Sequence, residues 1–334
     1  MLFEIVILFS LSAVLINLIR RNASSIGLVD IPNERSSHTK VTPRGAGVGF
    51  SIAALLSLLF FHSDLVFSYW ATFLGILLVL IVGFLDDHKD TAPKTKFIVI
   101  IVATLLIAID GVLIDDLGVY FGQHISLGWM ALPFTVLAVV GFTNALNLID
   151  GLDGLAGGVS IVIFSTLFIV GYLNHDDLIT YVSLSFIVAL LAFLLFNWNP
   201  ASIFMGDSGS LVLGFVIAVL SIKALAYLPA VSILFLAAVP NMDVLIVLFR
   251  RKYHKRPLFC ADKCHFHHIL HQFFDFNTKK TVLFLIILQA VYSLTGLQLD
   301  KQIDEGFLLL LFILNVAMLY VILSAMIRRQ KRDC

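Results

Sequence analysis

Apolar runs of about 15 to 22 residues recur from one end of this chain to the other, with short polar gaps between them. That is the length the hydrocarbon core of a bilayer demands of a helix. The runs fall near 2–19, 45–61, 66–85, 95–109, 129–143, 158–173, 178–196, 208–226, 230–249, 281–297 and 306–327. Eleven spans are therefore expected, in an all-α polytopic membrane protein. The runs at 95–109 and 129–143 are short, as tilted or partly re-entrant helices are. Between them, residues 110–128 are mixed in polarity and contain glycine, which fits a short surface hairpin. The first run starts beside Met1 with Glu4, not a basic cluster, so a retained helix is expected rather than a cleaved signal.

Charge orients the spans. If the gaps alternate between two faces, one face receives 20 of the 22 Lys and Arg residues; Lys223 and Lys301 are the exceptions. The other face receives Glu4, Asp64, Asp110, Asp115, Asp116, Asp176, Asp177, Asp300, Asp304 and Glu305. An excess of Lys and Arg marks the cytoplasmic side. The N-terminus is then outside and the C-terminus inside. The longest polar segment, residues 250–280, is too short for a domain of its own, so residues 1–334 form a single integral-membrane domain. Cys260, Cys264 and Cys334 all fall on the cytoplasmic face, where thiols stay reduced and no structural disulfide is expected.

The gaps on that same face carry the candidate chemistry. Asp86, Asp87 and Asp90 are three carboxylates in five residues, which repel one another unless a cation sits among them. Hard oxygen ligands of this kind suit Mg2+ or Mn2+ bridging to phosphate; a solvated helix end is the plainer alternative. Asn144, Asn147, Asp150 and Asp153 recur every three residues, a spacing that lines one face of a helix. The glycines among them leave backbone amides open to a close ligand. Asp207 opens the eighth span within Gly206-Asp207-Ser208-Gly209-Ser210, where it is either an N-cap or a metal ligand. His265, His267 and His268 follow Arg250, Arg251, Lys252, Lys255, Arg256 and Lys263, an anion site by composition. A zinc site made of Cys260, Cys264 and His268 or His271 is the rival there. The first cytoplasmic gap adds Lys40 and Arg44 ahead of Gly45-Ala46-Gly47. Asp243, inside the ninth span, either pairs with a basic residue or lines the site.

In this order and spacing, Asp86-Asp87-x-x-Asp90, Asn147-Leu-Ile-Asp150-Gly-Leu-Asp153, Met205-Gly-Asp207-Ser-Gly-Ser and His265-x-His267-His268 resemble the motifs of the polyprenyl-phosphate N-acetylhexosamine-1-phosphate transferases. This membrane family includes phospho-N-acetylmuramoyl-pentapeptide transferase and the initiators of O-antigen synthesis, and the likeness covers nearly the whole chain. The Arg44-Gly45-Ala46-Gly47 loop and Asp90 look more like the O-antigen branch, although Ala46 stands where that branch has Gly. The resemblance implies ten or eleven transmembrane helices around a cytoplasmic-side cleft in the bacterial inner membrane. It implies a Mg2+-dependent reaction, Mn2+ substituting, between a UDP-N-acetylhexosamine and undecaprenyl phosphate. By the same likeness Asp207, with Asp87, binds the metal, Asp86 and Asp87 sit at the lipid phosphate, and Asp90 joins them as a catalytic acid. Asn144, Asn147, Asp150 and Asp153, with Lys40 and Arg44, face the nucleotide-sugar, and the histidines hold the pyrophosphate.

Two other classes compete. A transporter or flippase would place its charges near mid-membrane and often carries inverted repeats; here the acids gather at one boundary and no repeat is evident. An Asp-rich prenyltransferase needs two facing Asp-rich motifs, and this chain has one. No nucleic-acid partner is expected. The oligomeric state, a homodimer included, is not written in the sequence.

Overall fold

The computed structural model describes residues 2–32, 41–253, 255, 265–299 and 301–329. A long helix, α1 (Leu2–Asn22), leads to a two-residue strand pair, β1 (Val29–Asp30) and β2 (Thr42–Pro43). Then come α2 (Ala46–Phe61), the short α3 (Ser63–Ser68), α4 (Trp70–Lys89) and α5 (Pro93–Ile109). A hairpin, β3 (Asp116–Tyr120) and β4 (Gln123–Ser126), and a 3-10 turn precede α6 (Ala131–Ile149). The chain continues through α7 (Leu155–Leu173), α8 (Asp177–Asn197), α9 (Asp207–Ala224), α10 (Ala230–Leu236) and α11 (Ala238–Tyr253). It ends with α12 (Phe266–Phe273), α13 (Thr278–Gln298) and α14 (Glu305–Arg329).

Each of the eleven apolar runs is helical. Among the described residues, eight helices are long and apolar enough to cross a membrane, and nine if the bent pair α10–α11 counts as one. α2 and α5, of 16 and 17 residues, are shorter members of the same bundle. The protein is thus a multi-pass membrane protein, and the expected hairpin is present at 116–126. Its turn residues, Phe121 and Gly122, both have positive φ (51° and 79°), the backbone a tight two-residue hairpin requires. The Asp304 carboxylate accepts from both amides, at 2.8 and 2.9 Å, and so holds Phe121 in a conformation that side chains seldom adopt.

α9 is the pillar. It is apolar around almost its whole circumference and nearly every residue is buried, as a helix surrounded by others must be. It packs on α2, α4, α6, α7 and α8. Glycines let its first turn sink deepest. A methyl group at Gly47 would collide with the backbone of Gly209, and one at Gly83 would come within 2.6 Å of Ser208 Cα. Gly47 and Gly83 therefore set how closely α2 and α4 approach the N-terminus of α9.

The expected continuous span at 230–249 is instead two helices that meet at 93°. Pro240 explains the break: it has no N–H, and its ring would clash with the Leu236 carbonyl in an unbroken helix. The groups freed by the bend are taken up by α13. Gln289 Oε1 accepts from the Val239 amide (2.9 Å), while Gln289 Nε2 and Ser293 Oγ donate to the Leu236 carbonyl (2.7 and 2.9 Å). Gln289 is fully buried, and a bent backbone in an apolar interior depends on such partners. At the start of α10, Glu305 accepts from the Ala230 and Val231 amides at 2.6 and 3.0 Å.

Candidate functional site

Four helix ends meet at one end of the bundle: the C-termini of α4 and α6 and the N-termini of α9 and α12. With the loops between them they enclose a polar cleft of about 400 Å³. Arg44, Asp87, Asn147, Asp150, Asp153, Asp207 and His268 all line it, drawn from five separate stretches of sequence, together with Asp30, Asn197 and Gly206.

Asp87 is the buried tie between α4 and α9. One carboxylate oxygen accepts from the Asp207 amide (2.8 Å), the other from the Ser208 amide (3.1 Å) and hydroxyl. An anion suits the unpaired amides at a helix start. It works across helices here because Gly206, at φ 76°, has no side chain to strike the Asp87 carboxylate. Asp87, expected to be a metal ligand, thus spends both oxygens on α9. The residue it positions is Asp207, whose own carboxylate turns into the cleft. Asp207 Oδ1 accepts from Asn147 Nδ2 at 3.1 Å, and Asn147 also donates to Ser210 Oγ at 2.8 Å.

Asp207 Oδ2 meets Lys96, the first residue of this site that the sequence motifs did not reveal. Lys96 Nζ lies 2.7 Å from Asp207 and 3.2 Å from Asp86. Asp86 is braced in turn by the Thr91 amide (2.9 Å) and hydroxyl (2.7 Å). Lys96 escaped notice because it looks like a positive-inside anchor just within α5; only the packing of α5 on α4 brings it to the acids. Asp86 and Asp207 therefore already share a cation. Two carboxylates around one positive charge form the hard-oxygen donor set that Mg2+ takes together with substrate phosphates. Among the described residues no group of three His, Cys, Asp or Glu is placed to hold a metal by itself, so phosphate oxygens would complete such a site. Asp90 stands at the rim as the C-cap of α4, exposed and 3.4 Å from Arg44.

The Asn/Asp stripe is not one helical face. α6 ends at Ile149, Asp150 is its C-cap, and residues 151–154 form a loop before α7. The helix thus ends inside the three-residue spacing, before Asp150 and Asp153, and Gly154, at φ 80°, caps the start of α7. Asn147 and Asp150 still face the cleft, and Asn144, on α6, is not part of its lining. Asp153 lines the wall and anchors the 198–203 loop, accepting from Asn199 Nδ2 (2.9 Å) and the Ala201 amide (3.0 Å). Asn197, also missed in the sequence, joins the two loops. It accepts from the Gly154 amide at 2.8 Å and donates to the Ile203 carbonyl at 2.9 Å. Burial pushes the Asp150 carboxyl up to about 7, and the charges of Asp207, Asp87 and Asp153 add to the shift.

The histidines form the opposite wall. His268 faces the cleft. His267 is buried, with its ring centroid 4.1 Å from that of His268, and neither of its nitrogens has a hydrogen-bond partner among the described residues. Its Nε2 abuts the Gly151 Cα, where a side chain would collide. Burial first, then the neighbouring His268, His265 and His271, hold its pKa well below the usual histidine value. A neutral imidazole with two unmet nitrogens beside the acidic loop is a site made for a polar ligand. His265 lies behind them, bonded to Asp243. Lys40 and the proposed zinc ligands Cys260 and Cys264 lie outside the described residues.

Further along the bundle, toward the hairpin, an apolar cavity of about 360 Å³ lies between α6, the C-terminal part of α9 and the bent α10–α11 pair. Gly141 and Phe142, less than two turns from Asn147 on α6, line the cavity, as does Asn241 on α11.

Comparison with known proteins supplies the remaining evidence. Residues 69–225 match the family described as glycosyl transferase family 4. A probable undecaprenyl-phosphate N-acetylglucosaminyl 1-phosphate transferase of Bacillus subtilis is 35% identical over 306 residues, covering 90% of this chain and 85% of the relative. The undecaprenyl-phosphate alpha-N-acetylglucosaminyl 1-phosphate transferases of Yersinia pestis and Escherichia coli K12 are 28% and 26% identical, each over 93% of this chain and 88% of the relative.

Proposed function

The chain belongs to glycosyl transferase family 4, alongside the undecaprenyl-phosphate N-acetylglucosaminyl 1-phosphate transferases, and from that premise we propose how its cleft works. The protein transfers an N-acetylhexosamine 1-phosphate from a UDP-sugar to undecaprenyl phosphate. A terminal oxygen of the lipid phosphate attacks the sugar-linked phosphorus, the bond from that phosphorus to the bridging oxygen breaks, and UMP leaves with the oxygen. The sugar's anomeric bond is untouched. The product initiates O-antigen or a related surface polysaccharide.

The observation that carries this reading is a polar, acid- and histidine-lined cleft at one end of the bundle, with an apolar cavity further along two of the same helices, α6 and α9. A polyprenyl phosphate needs both. Its phosphate fits the mouth of the cleft, and its tail runs from there along α6 toward the apolar cavity. Both reactants are anions, and two unit charges about 4 Å apart repel by ~4 kcal/mol at an effective dielectric near 20. Lys96, Arg44 and the histidine wall offset that repulsion. Asp207 and Asp86 would hold Mg2+, or Mn2+ in its place; when bound, the ion would neutralise the pyrophosphate and the charge developing on UMP. The lipid phosphate, a monoester with a second pKa near ~6 by analogy with phosphorylated side chains, is already mostly dianionic at neutral pH. No strong base is required, and Asp86 serves to position Lys96. Asn147 and Asp150 face the nucleotide-sugar, and His268 with His267 meets the pyrophosphate.

The excess of Lys and Arg at this end of the bundle supports a cytoplasmic orientation in the bacterial inner membrane, the side where UDP-sugars are. A transporter would instead keep its charges at mid-membrane. The deciding experiment incubates the purified protein with undecaprenyl phosphate, Mg2+ and a panel of UDP-N-acetylhexosamines, and weighs the lipid product. A lipid heavier by one N-acetylhexosamine phosphate, with UMP released only when lipid phosphate is present, is the expected result. UMP release that ignores the lipid, or none with any sugar, would reject the assignment.

A further inference from the structure

Asp243 is a buried acid that this account does not use. Asp243 sits in the second turn of α11, 1% exposed, on the far side of the histidines from the cleft. A buried carboxylate is tolerated only where donors compensate it. Two donors converge on Asp243. The Phe266 amide, at the start of α12, donates to Oδ1 at 2.6 Å. His265 Nδ1 lies 2.7 Å from Oδ2, and that ring is itself only 6% exposed.

A plain helix cap accounts for one of these contacts and not for the other. Capping α12 needs a single oxygen. The second oxygen holds the imidazole, and a carboxylate at Nδ1 settles which ring nitrogen carries the proton and which way the ring faces. The carboxylate is itself held fast. α11 leaves the 93° bend that Gln289 and Ser293 clamp, and Asp243 follows the Val239 amide by four residues, about one turn. Beyond Asp243 the contacts continue from the His265 ring through the first turn of α12 to His267 and His268 in the cleft wall.

We propose that Asp243 is a positioning residue for the transfer reaction. It holds His265 with a proton on Nδ1 and pins the start of α12, and so sets where the histidine wall meets the pyrophosphate. This rests on the reading of that wall given above.

Asp243→Asn separates the two contacts. The amide keeps the volume, and its oxygen can still accept from the Phe266 amide. Its nitrogen, however, is a donor, and it forces His265 to accept at Nδ1 and carry its proton on Nε2 instead. The expected result is a folded protein, its melting temperature lowered by a few degrees as for other buried carboxylates, whose kcat is about 10- to 100-fold lower, the usual cost of losing a ligand's orienting partner, and whose KM for the UDP-sugar is little changed. In a His265→Asn background the same change should cost nothing more, because residues that act as a unit are not additive. Asp243→Asn with wild-type kcat while His265→Asn is inactive, or losses that multiply in the double variant, would overturn the proposal alone. A fully active His265→Asn would remove the underlying reading and the proposal with it. Should Asp243→Asn fail to fold, ¹⁵N NMR of histidine-labelled wild-type protein reads the ring directly. A proton on Nδ1 of His265 supports the proposal, and a proton on Nε2 alone refutes it.

Discussion

Asp150 should make the protein's stability depend on pH in a way that Asp150→Asn abolishes. Burial, with Asp207, Asp87 and Asp153 nearby, raises its carboxyl in the folded state to about 7 from the ordinary 3.8. The sign follows from linkage. Below about pH 4 the group is protonated whether the chain is folded or not, and it costs nothing. As the pH rises toward 7 the unfolded chain gives up its proton while the folded one keeps it, so stability falls. Above about 7 both forms are ionised and the full penalty is present. Some three units at about 1.36 kcal/mol each give an upper bound of about 4 kcal/mol. Asn carries no such penalty. The assay is thermal unfolding of the detergent-solubilised protein at pH 5 and pH 8. Between the two, wild type should lose several degrees more than Asp150→Asn, at about 2 °C per kcal/mol for a chain of this size. Added Mg2+ at pH 8 should recover part of that loss in wild type and less in the variant. Parallel pH dependences in the two proteins would show that Asp150 is not held above its ordinary range.

Asp87→Asn turns an amide N–H toward the donors at the start of α9, replacing charge-assisted bonds worth about 1.5–3 kcal/mol each. It should lower the melting temperature by several degrees even with no divalent ion present, a shift that a pure metal ligand would not produce. Lys96→Met should slow turnover by about 100-fold or more, the scale of losing one preorganised electrostatic donor. It should also raise the affinity for Mn2+, measured by electron paramagnetic resonance, because the ammonium no longer competes for Asp86 and Asp207. Gln289→Leu leaves the Val239 amide without its acceptor while Ser293 still serves the Leu236 carbonyl. A loss of about 1–2 kcal/mol is expected, read as a lower unfolding midpoint.

The sequence by itself determined the class of protein, the position of nearly every helix and the identity of most of the cleft. That was possible because these properties are local. An apolar run long enough to span a bilayer has no other stable home, and carboxylates, amides and imidazoles at its ends stand out against it. Asp207, Asp150, Asn147 and His268 were legible for that reason, and they do meet. What the sequence could not reveal are the relations between distant segments. Lys96 looks like one more anchoring cation until α5 packs on α4 and brings it between Asp86 and Asp207. Asp87 has the sequence signature of a metal ligand, yet its oxygens go to the amides of α9, a choice made by how closely Gly47 and Gly83 let that helix approach. The three-residue stripe from Asn144 to Asp153 promised one helical face, but α6 ends at Ile149 and the chain passes into a loop before α7. The apolar run at 230–249 reads as one span through Pro240, and neither the break nor its angle is evident from it. The 93° bend exists because Gln289 and Ser293, some 50 residues further on, satisfy the backbone groups it exposes. Hydrophobic periodicity decides where the chain enters and leaves the membrane; only the packed bundle decides which polar groups, once there, have partners.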